Sequence, residues 1–253
     1  MKDFALITGA TAGIGYELAK LFAADQFNLV LVARDEARLK NVATELRNGH
    51  NIEAVVLPKD LSDSSAPREI FEALHDTPVS VLVNNAGFGS QGAFGDEKLD
   101  LSLKMMHVNM SALVQLTHLF LQPMLKRRQG RILNVASTAA FQPGPFTNVY
   151  YATKAFVFSF SVGLAEELAG TGTTITTLCP GYTRTEFHER ANIKRSARLK
   201  MMSPQAVARA GYQGLMAGKI IVIPGGMNRI RSIIARALPA PFTAKIVRRM
   251  NVS

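Results

Sequence analysis

The sequence predicts an α/β protein: one doubly wound parallel sheet of about seven strands, with helices on both faces, in a single domain spanning 1-253. Short β-rich apolar runs alternate with segments of helical period, roughly every 25 residues. The strand runs are apolar at every position, as in Leu29-Val30-Leu31-Val32, which is the pattern of a parallel strand covered on both faces. No linker, low-complexity run or fixed-period repeat interrupts the alternation, so no domain boundary is placed.

Taken in order, the apolar runs place strands at Phe4–Thr8, Asn28–Ala33, Ile52–Leu57, Val79–Asn84, Arg131–Ala136, Thr174–Cys179 and Lys219–Ile223. Helical patterns fill the intervals near Gly13–Asp25, Asp35–Asn48, Ser64–Asp76, Leu101–Arg128 (read as two helices), Tyr150–Ala169 and Pro204–Gly218. Right-handed crossovers between successive strands complete the expected winding.

Composition bounds the function classes. The 253 residues are 47% hydrophobic and 19% charged, which excludes a disordered chain. The single cysteine, Cys179, excludes an internal disulfide and suits a small core residue. No run of 18 apolar residues is present, and a strand begins within three residues of the start, so the expectation is a cytoplasmic chain without a leader. The five histidines (His50, His75, His107, His118 and His188) have no ligand spacing with one another or with Cys179, so no metal is expected. Charge is segregated. From Arg190 onward there are 13 Lys and Arg and no acid, whereas the first 189 residues hold 16 basic and 19 acidic residues, a net of −3. Such a basic last quarter points to an anionic partner.

Thr8-Gly9-Ala10-Thr11-Ala12-Gly13-Ile14-Gly15 lies directly after the first strand and opens a helix. Glycines there permit a tight turn and close approach of a pyrophosphate, and the helix end offers free N–H groups and a positive dipole. The spacing is GxxxGxG rather than GxGxxG. Where the second strand ends, an NAD site would carry an acid for the ribose hydroxyls. The chain instead reads Val32-Ala33-Arg34-Asp35, with Asp35 also suited to cap the next helix. The missing acid and a guanidinium at Arg34, able to hold a 2′-phosphate, favour NADP, with NAD as the alternative.

A second group is Asn109, Ser137, Tyr150 and Lys154. Tyr150 and Lys154 are four apart at the start of a helix and share a face. An ammonium beside a phenol is expected to lower its pKa from about 10 by about 1–3 units. Ser137 follows the fifth strand, at the carboxyl edge where open α/β sheets bind ligands. Asn109 lies in a long helix. Each alone has an ordinary explanation, as surface aromatic, solvated lysine, turn serine or helix contact.

Together with Asn84-Asn85-Ala86-Gly87 and Pro180–Thr185 (PGxxxT), these motifs resemble the short-chain dehydrogenase/reductase family, from about Phe4 to Ile223. The resemblance implies a Rossmann-type fold and hydride transfer between nicotinamide and a carbonyl or secondary alcohol. Tyr150 would be the acid and Ser137 would orient the carbonyl. Lys154 would lower the tyrosine pKa and hold the ribose, while Asn109 would position a water behind Lys154. Thr8, Gly9, Thr11, Ala12, Gly13, Ile14, Gly15 and Arg34 would form the cofactor turn. Asp60 and Leu61 would lie near the adenine, and Asn85, Ala86 and Gly87 near the ribose. Pro180, Gly181, Thr183 and Thr185 would border the nicotinamide. Two positions depart from the family pattern. Ala12 stands where NADP-using relatives often carry a basic residue, and Thr183 where Val or Ile is frequent.

Substrate class is read from the last third. In relatives the segment about 186-202 is a lid, and here it holds Arg190, Lys194, Arg195, Arg198 and Lys200. In the extension about 224-253, Ile230, Ile233, Ile234, Ala237 and Leu238 make an apolar helical stripe with Arg229, Arg231 and Arg236 beside it. Phe242, Ile246, Val247 and Met250 repeat the pattern with Lys245, Arg248 and Arg249. Two helices packed by these stripes on the domain or a partner subunit are one expectation. A mouth for an anionic acyl thioester is another, and an amphipathic contact with an anionic membrane is a third. The tail loosely resembles that of 3-oxoacyl and hydroxysteroid reductases. The expected substrate is a hydrophobic or acyl-linked ketone, the alternatives being a hydroxysteroid or small ketone, or a non-catalytic NADP-binding sensor or scaffold. A homo-oligomer (dimer or tetramer) is expected from the resemblance. Nucleic acid is not expected, since no recognised module or set of stacking aromatics is present.

Overall fold

The computed structural model describes residues 3–191 and 201–252. Among these, seven strands form one sheet: β1 (Phe4–Thr8), β2 (Asn28–Ala33), β3 (Ala54–Pro58), β4 (Val79–Asn84), β5 (Gly130–Val135), β6 (Thr173–Leu178) and β7 (Ile221–Val222). Their order is β3-β2-β1-β4-β5-β6-β7 and every pair is parallel. Ile7 sits opposite Leu31 on one side and Val83 on the other. This is the doubly wound Rossmann-type architecture expected from the sequence.

Helices cover both faces. Ala5, Ile7, Leu29, Leu31, Val81 and Val83 point to the side packed by α1 (Gly13–Ala24), α2 (Glu36–His50) and α8 (Pro204–Met216). Leu6, Val30, Val32, Leu82 and Ile132 point to the side packed by α3 (Ala66–Ala73) and α5 (Ala112–Arg127). Alternate side chains of one strand thus enter two different cores, which is why the strands are apolar throughout.

A polar network crosses the second of these interfaces. Asn84 at the end of β4 donates to Thr117 Oγ1 on α5 (3.0 Å) and to Asn134 Oδ1 on β5 (2.9 Å). Asn134 donates in turn to Ser161 Oγ at 2.9 Å, on α6 (Asn148–Glu167). All four side chains are buried, so each hydrogen bond fixes the spacing between the sheet and the helix that carries Tyr150.

Several element boundaries differ from the sequence expectation. β3 starts two residues late, because Ile52 packs in the core before the ladder with β2 begins at Ala54. β7 is only two residues long, paired at Ile221 and Val222. The long helical pattern divides into α4 (Leu99–Met106) and α5, joined by a π-helical turn at His107–Ser111. Short 3₁₀ turns at Phe94–Asp96 and Thr138–Phe141, and the one-turn α7 (Phe187–Arg190), have no counterpart in the periodicity, being too short to show one. Of the segment about 186-202, residues 192–200, with Lys194, Arg195, Arg198 and Lys200, lie outside the described residues.

For the C-terminal helices the structure corrects one alternative, packing of the stripes on the domain itself. α9 (Gly226–Ala237) and α10 (Ala240–Val252) do form, but the apolar stripe of α9 does not pack on the body. Ile230, Ile233 and Ile234 are 53%, 67% and 51% exposed. The inward face is made of small residues, Ser232 and Ala235, which allow close approach to the 138–141 turn. The Arg236 guanidinium completes it, lying 5.9 and 5.8 Å from the rings of Phe141 and Phe158. In α10, Val247 and Thr243 are buried while Phe242, Ile246 and Met250 are exposed.

Replacing Asn134 by Ala removes the acceptor of one Asn84 amide hydrogen bond and the donor to the Ser161 hydroxyl, leaving Asn84 only Thr117. A loss of about 2–4 kcal/mol is expected, read as a lower urea midpoint with an unchanged m-value. An unshifted midpoint would show that the network contributes no net stability.

Candidate active site

The groove opens where the sheet reverses its winding, between β1 and β4. The Thr8 hydroxyl, buried at the end of β1, donates to Val83 O (3.2 Å) and accepts from the amides of Asn85 and Ala86, both at 3.0 Å. The Asn85 side chain closes the loop from the other side, donating to Thr8 O (2.9 Å) and Gly9 O (3.2 Å). Asn85 is therefore a brace for the glycine turn. Gly9 has φ +67°, and a Cβ on it would lie 2.8 Å from Asn85 Nδ2. Gly13 has φ +57°, with Thr185 2.9 Å from the position of a Cβ. Both conformations and both close approaches require glycine. Helix α1 then begins with no side-chain cap on its N-terminus, because Ala12 supplies no acceptor. Its first N–H groups are directed at the groove and suit a pyrophosphate.

At the end of β2, Asp35 caps α2, its carboxylate accepting from Arg38 N at 3.0 Å. The acid is thus engaged by the helix, and exposed Arg34 stands beside it without competition. Asp60 forms a turn with Ser62 N (2.9 Å), and Leu61 beside it is buried. Across the groove, the 180–185 loop runs over the α1 terminus. Its Thr183 is buried and donates to Gly181 O (2.9 Å), while Thr185 Oγ1 accepts from Phe187 N (3.3 Å).

The four polar residues converge at the carboxyl edge of β4 and β5. Tyr150, on the first turn of α6, lies beside Ser137, which follows β5 and donates its hydroxyl to Pro180 O at 3.5 Å. Ser137 Oγ also accepts from Ala139 N at 3.1 Å. Lys154, one turn further along α6, is 5% exposed and donates to Val135 O at 2.8 Å. Its Nζ lies 5.8 Å from the centre of the Tyr150 ring. Asn109 sits in the π-helical turn, a distortion that rotates its side chain inward. Its amide donates to Phe88 O and Thr153 Oγ1, both at 3.0 Å, and its carbonyl accepts from Phe88 N at 3.1 Å. Asn109 therefore ties the loop after β4 to α6.

The electrostatics correct one expectation. The Tyr150 pKa is raised to about 12, chiefly by burial, with the Ser137 hydroxyl acting in the opposite sense. Lys154 does not pull it down, because its ammonium points at the Val135 carbonyl and is itself lowered to about 8 by burial. In this state the phenol is held protonated, ready to donate.

A family model described as short chain dehydrogenase matches residues 3–196. The chain belongs to the short-chain dehydrogenase family. The ketoacyl reductase HetN of Nostoc sp. is 33% identical over 179 residues, covering 70% of this chain and 62% of that protein. The human very-long-chain 3-oxoacyl-CoA reductase is 28% identical over 264 positions, covering 100% of this chain and 81% of that one. A short-chain dehydrogenase from Sphingobium yanoikuyae, solved with NADPH, superposes with a TM-score of 0.86 at 30% identity and covers 93% of both chains. The matched stretch spans less than two thirds of the length of HetN. A nicotinamide dinucleotide is the group bound in the Sphingobium neighbour. The residues present fit such a group, through the uncapped α1 terminus and the two positive-φ glycines.

Sequence reasoning did not single out three contributors. Arg38, one turn after Arg34 on α2, forms a bidentate pair with Glu186 (3.1 and 2.8 Å) that spans the groove. Phe187 lies against Tyr150, ring centres 5.3 Å apart. Thr153 receives the Asn109 amide. Only Arg38 carried a sequence signal, its i+4 spacing from Arg34; partners 148 residues apart leave none.

Burial of Lys154 gives a pH-dependent stability term. Its folded pKa of about 8 lies below the ordinary 10.5, so between these values the unfolded chain holds a proton that the folded one has released. Stability contributed by this group is therefore full above pH 10.5 and is lost as pH falls through 8. Thermal unfolding of cofactor-free protein should show wild type gaining about 2–3 kcal/mol relative to Lys154→Met across that window. Parallel pH curves for the two proteins would refute the burial argument.

Proposed function

We propose that this protein is an NADP(H)-dependent carbonyl reductase acting on a hydrophobic or acyl-linked ketone. The observation that carries it is the convergence of Tyr150 and Ser137, with Lys154 buried on the next turn of α6 at the carboxyl edge of the sheet. When bound, the dinucleotide supplies the hydride that goes to the carbonyl carbon. Ser137 and Tyr150 together hold the carbonyl oxygen, and the Tyr150 phenol gives it the proton that completes the alcohol. Lys154, its Nζ 5.8 Å from the centre of the Tyr150 ring, would hold the nicotinamide ribose, and its pKa of about 8 leaves most of it charged at neutral pH. Asn109 positions Lys154 and Thr153 by fixing the loop at Phe88, and a water beside its carbonyl would link Lys154 to solvent. Cofactor choice rests on Arg34, free to meet a 2′-phosphate while the Asp35 carboxylate is held by α2.

A cleft of about 330 Å³ has an apolar wall of Phe88, Ala93 and Leu101 and a polar one of Ser90, Gln91, Asp96, Glu97 and Lys98, the apolar wall suiting the hydrophobic part of a ketone. Gly89 connects it to the site, since a Cβ there would touch both Tyr150 and Phe187 at 3.1 Å. The ketoacyl and 3-oxoacyl-CoA reductase relatives agree with an acyl-linked ketone. Exposed Leu99, Leu103, Met106 and Phe156 on α4 and α6 support assembly into a homo-oligomer through those helices.

With a 3-oxoacyl thioester, purified protein should oxidise NADPH, and Tyr150→Phe should lose about 10²–10⁴ in kcat while keeping its NADPH dissociation constant. Full activity in that variant removes the mechanism. Separately, Arg34→Ala should weaken NADPH binding by about 1.5–3 kcal/mol and leave NADH binding unchanged. Equal weakening of both would place the 2′-phosphate elsewhere.

A further inference from the structure

The C-terminal helices present an apolar face that the body leaves uncovered. Met227, Ile230, Ile233 and Ile234 of α9, and Phe242, Ile246 and Met250 of α10, are each between 41% and 67% exposed. Both helices rest on the same part of the body. α9 packs on the 138–141 turn, and the end of α10 is tied to the stretch that follows, Asn251 donating to Pro145 O (2.8 Å) and Thr147 Oγ1 (3.3 Å). Their exposed apolar side chains thus belong to two helices anchored on one stretch of the body.

Charge selects the occupant. Arg229, Arg231, Lys245, Arg248 and Arg249 are exposed on these two helices, and no acid follows Glu189 in the chain. A second copy of this face would bring like charges together across an apolar contact, which is unfavourable. An anionic bilayer offers both complements: an apolar interior for the isoleucines, and phosphate headgroups for the basic rim. Among the described residues no helix is long and apolar enough to cross a membrane, so contact would be in the plane of the surface.

We propose that α9 and α10 seat this protein on an anionic lipid surface and so place its substrate cleft at the membrane. The link to the cleft is direct. Gln91, which lines it, donates to Asn251 O of α10 at 2.8 Å, and Thr147 precedes the helix that carries Tyr150. An apolar ketone dissolved in lipid then meets the cleft at its mouth; this consequence rests on the reductase reading, whereas the lipid contact does not.

The test uses the full chain with vesicles of phosphatidylglycerol and phosphatidylcholine (1:1), and vesicles of phosphatidylcholine alone. Co-sedimentation is expected with the mixed vesicles in 0.1 M salt, and at least about tenfold weaker with pure phosphatidylcholine or in 0.5 M salt. Arg231→Gln, Lys245→Gln and Arg248→Gln should each weaken binding about fivefold. The double variant Ile230→Glu/Ile233→Glu should weaken it by more than tenfold while turnover of a water-soluble ketone stays unchanged. With a long-chain ketone carried in the mixed vesicles, the double variant should lose kcat/KM. Tyr150→Phe should sediment as wild type, so a failed reductase reading leaves the lipid result readable. Absence of sedimentation, equal sedimentation with both vesicle types, or retention by the double variant would overturn the proposal. So would a dimer by light scattering that Ile230→Glu/Ile233→Glu dissociates in protein that does not bind vesicles.

Discussion

A single buried hydroxyl joins the two halves of the sheet where function is built. Thr8 closes β1 by bonding to Val83 of β4 and receiving two amides from the loop beyond it. Strands that leave a common centre in opposite winding directions would otherwise part at their carboxyl ends. Because they are held there, the glycine turn, the Asn84–Gly87 loop and the 180–185 loop meet over one groove. Asn85 reinforces the joint through the carbonyls of Thr8 and Gly9. The rest of the site is positioned relative to this point, by hydrogen bonds whose loss in a buried setting is costly.

The helix that carries Tyr150 is registered by two layers of such bonds. The deeper one runs Thr117–Asn84–Asn134–Ser161 and spaces α6 from β5. The shallower one runs from Phe88 through Asn109 to Thr153. Between them lies Lys154, dry enough to be lowered to about 8 and held by the Val135 carbonyl. Burial also sets the character of Tyr150. A phenol raised to about 12 remains a donor across the neutral range. Pre-organisation here is largely a matter of excluding water from groups that are already tied in place.

The opposite principle governs the C-terminus. There the body takes the small and polar side of α9, with Arg236 lying over two phenylalanine rings, and leaves the branched aliphatic side outward. Amphipathic spacing in a helix ordinarily marks the face that is buried in its own domain. In this chain it marks a face that the chain itself does not cover, beside the mouth of the cleft.

Local chemistry made most of the fold readable. Continuous apolar strands, a glycine turn after the first of them and the Tyr150–Lys154 spacing each act over a few residues, so the sequence by itself determined the α/β alternation, the cofactor turn and the polar quartet. Short elements such as the Thr138–Phe141 turn escaped, because periodicity needs several turns to register. Only the tertiary structure decided the rest. It paired Arg38 with Glu186, laid Phe187 on Tyr150, used Asn85 as a brace and turned Ile233 outward. It also raised the Tyr150 pKa where the adjacent lysine implied a fall. The physical reason is common to all of these: burial and pairing depend on neighbours brought from distant parts of the chain, and one-dimensional spacing does not contain that information.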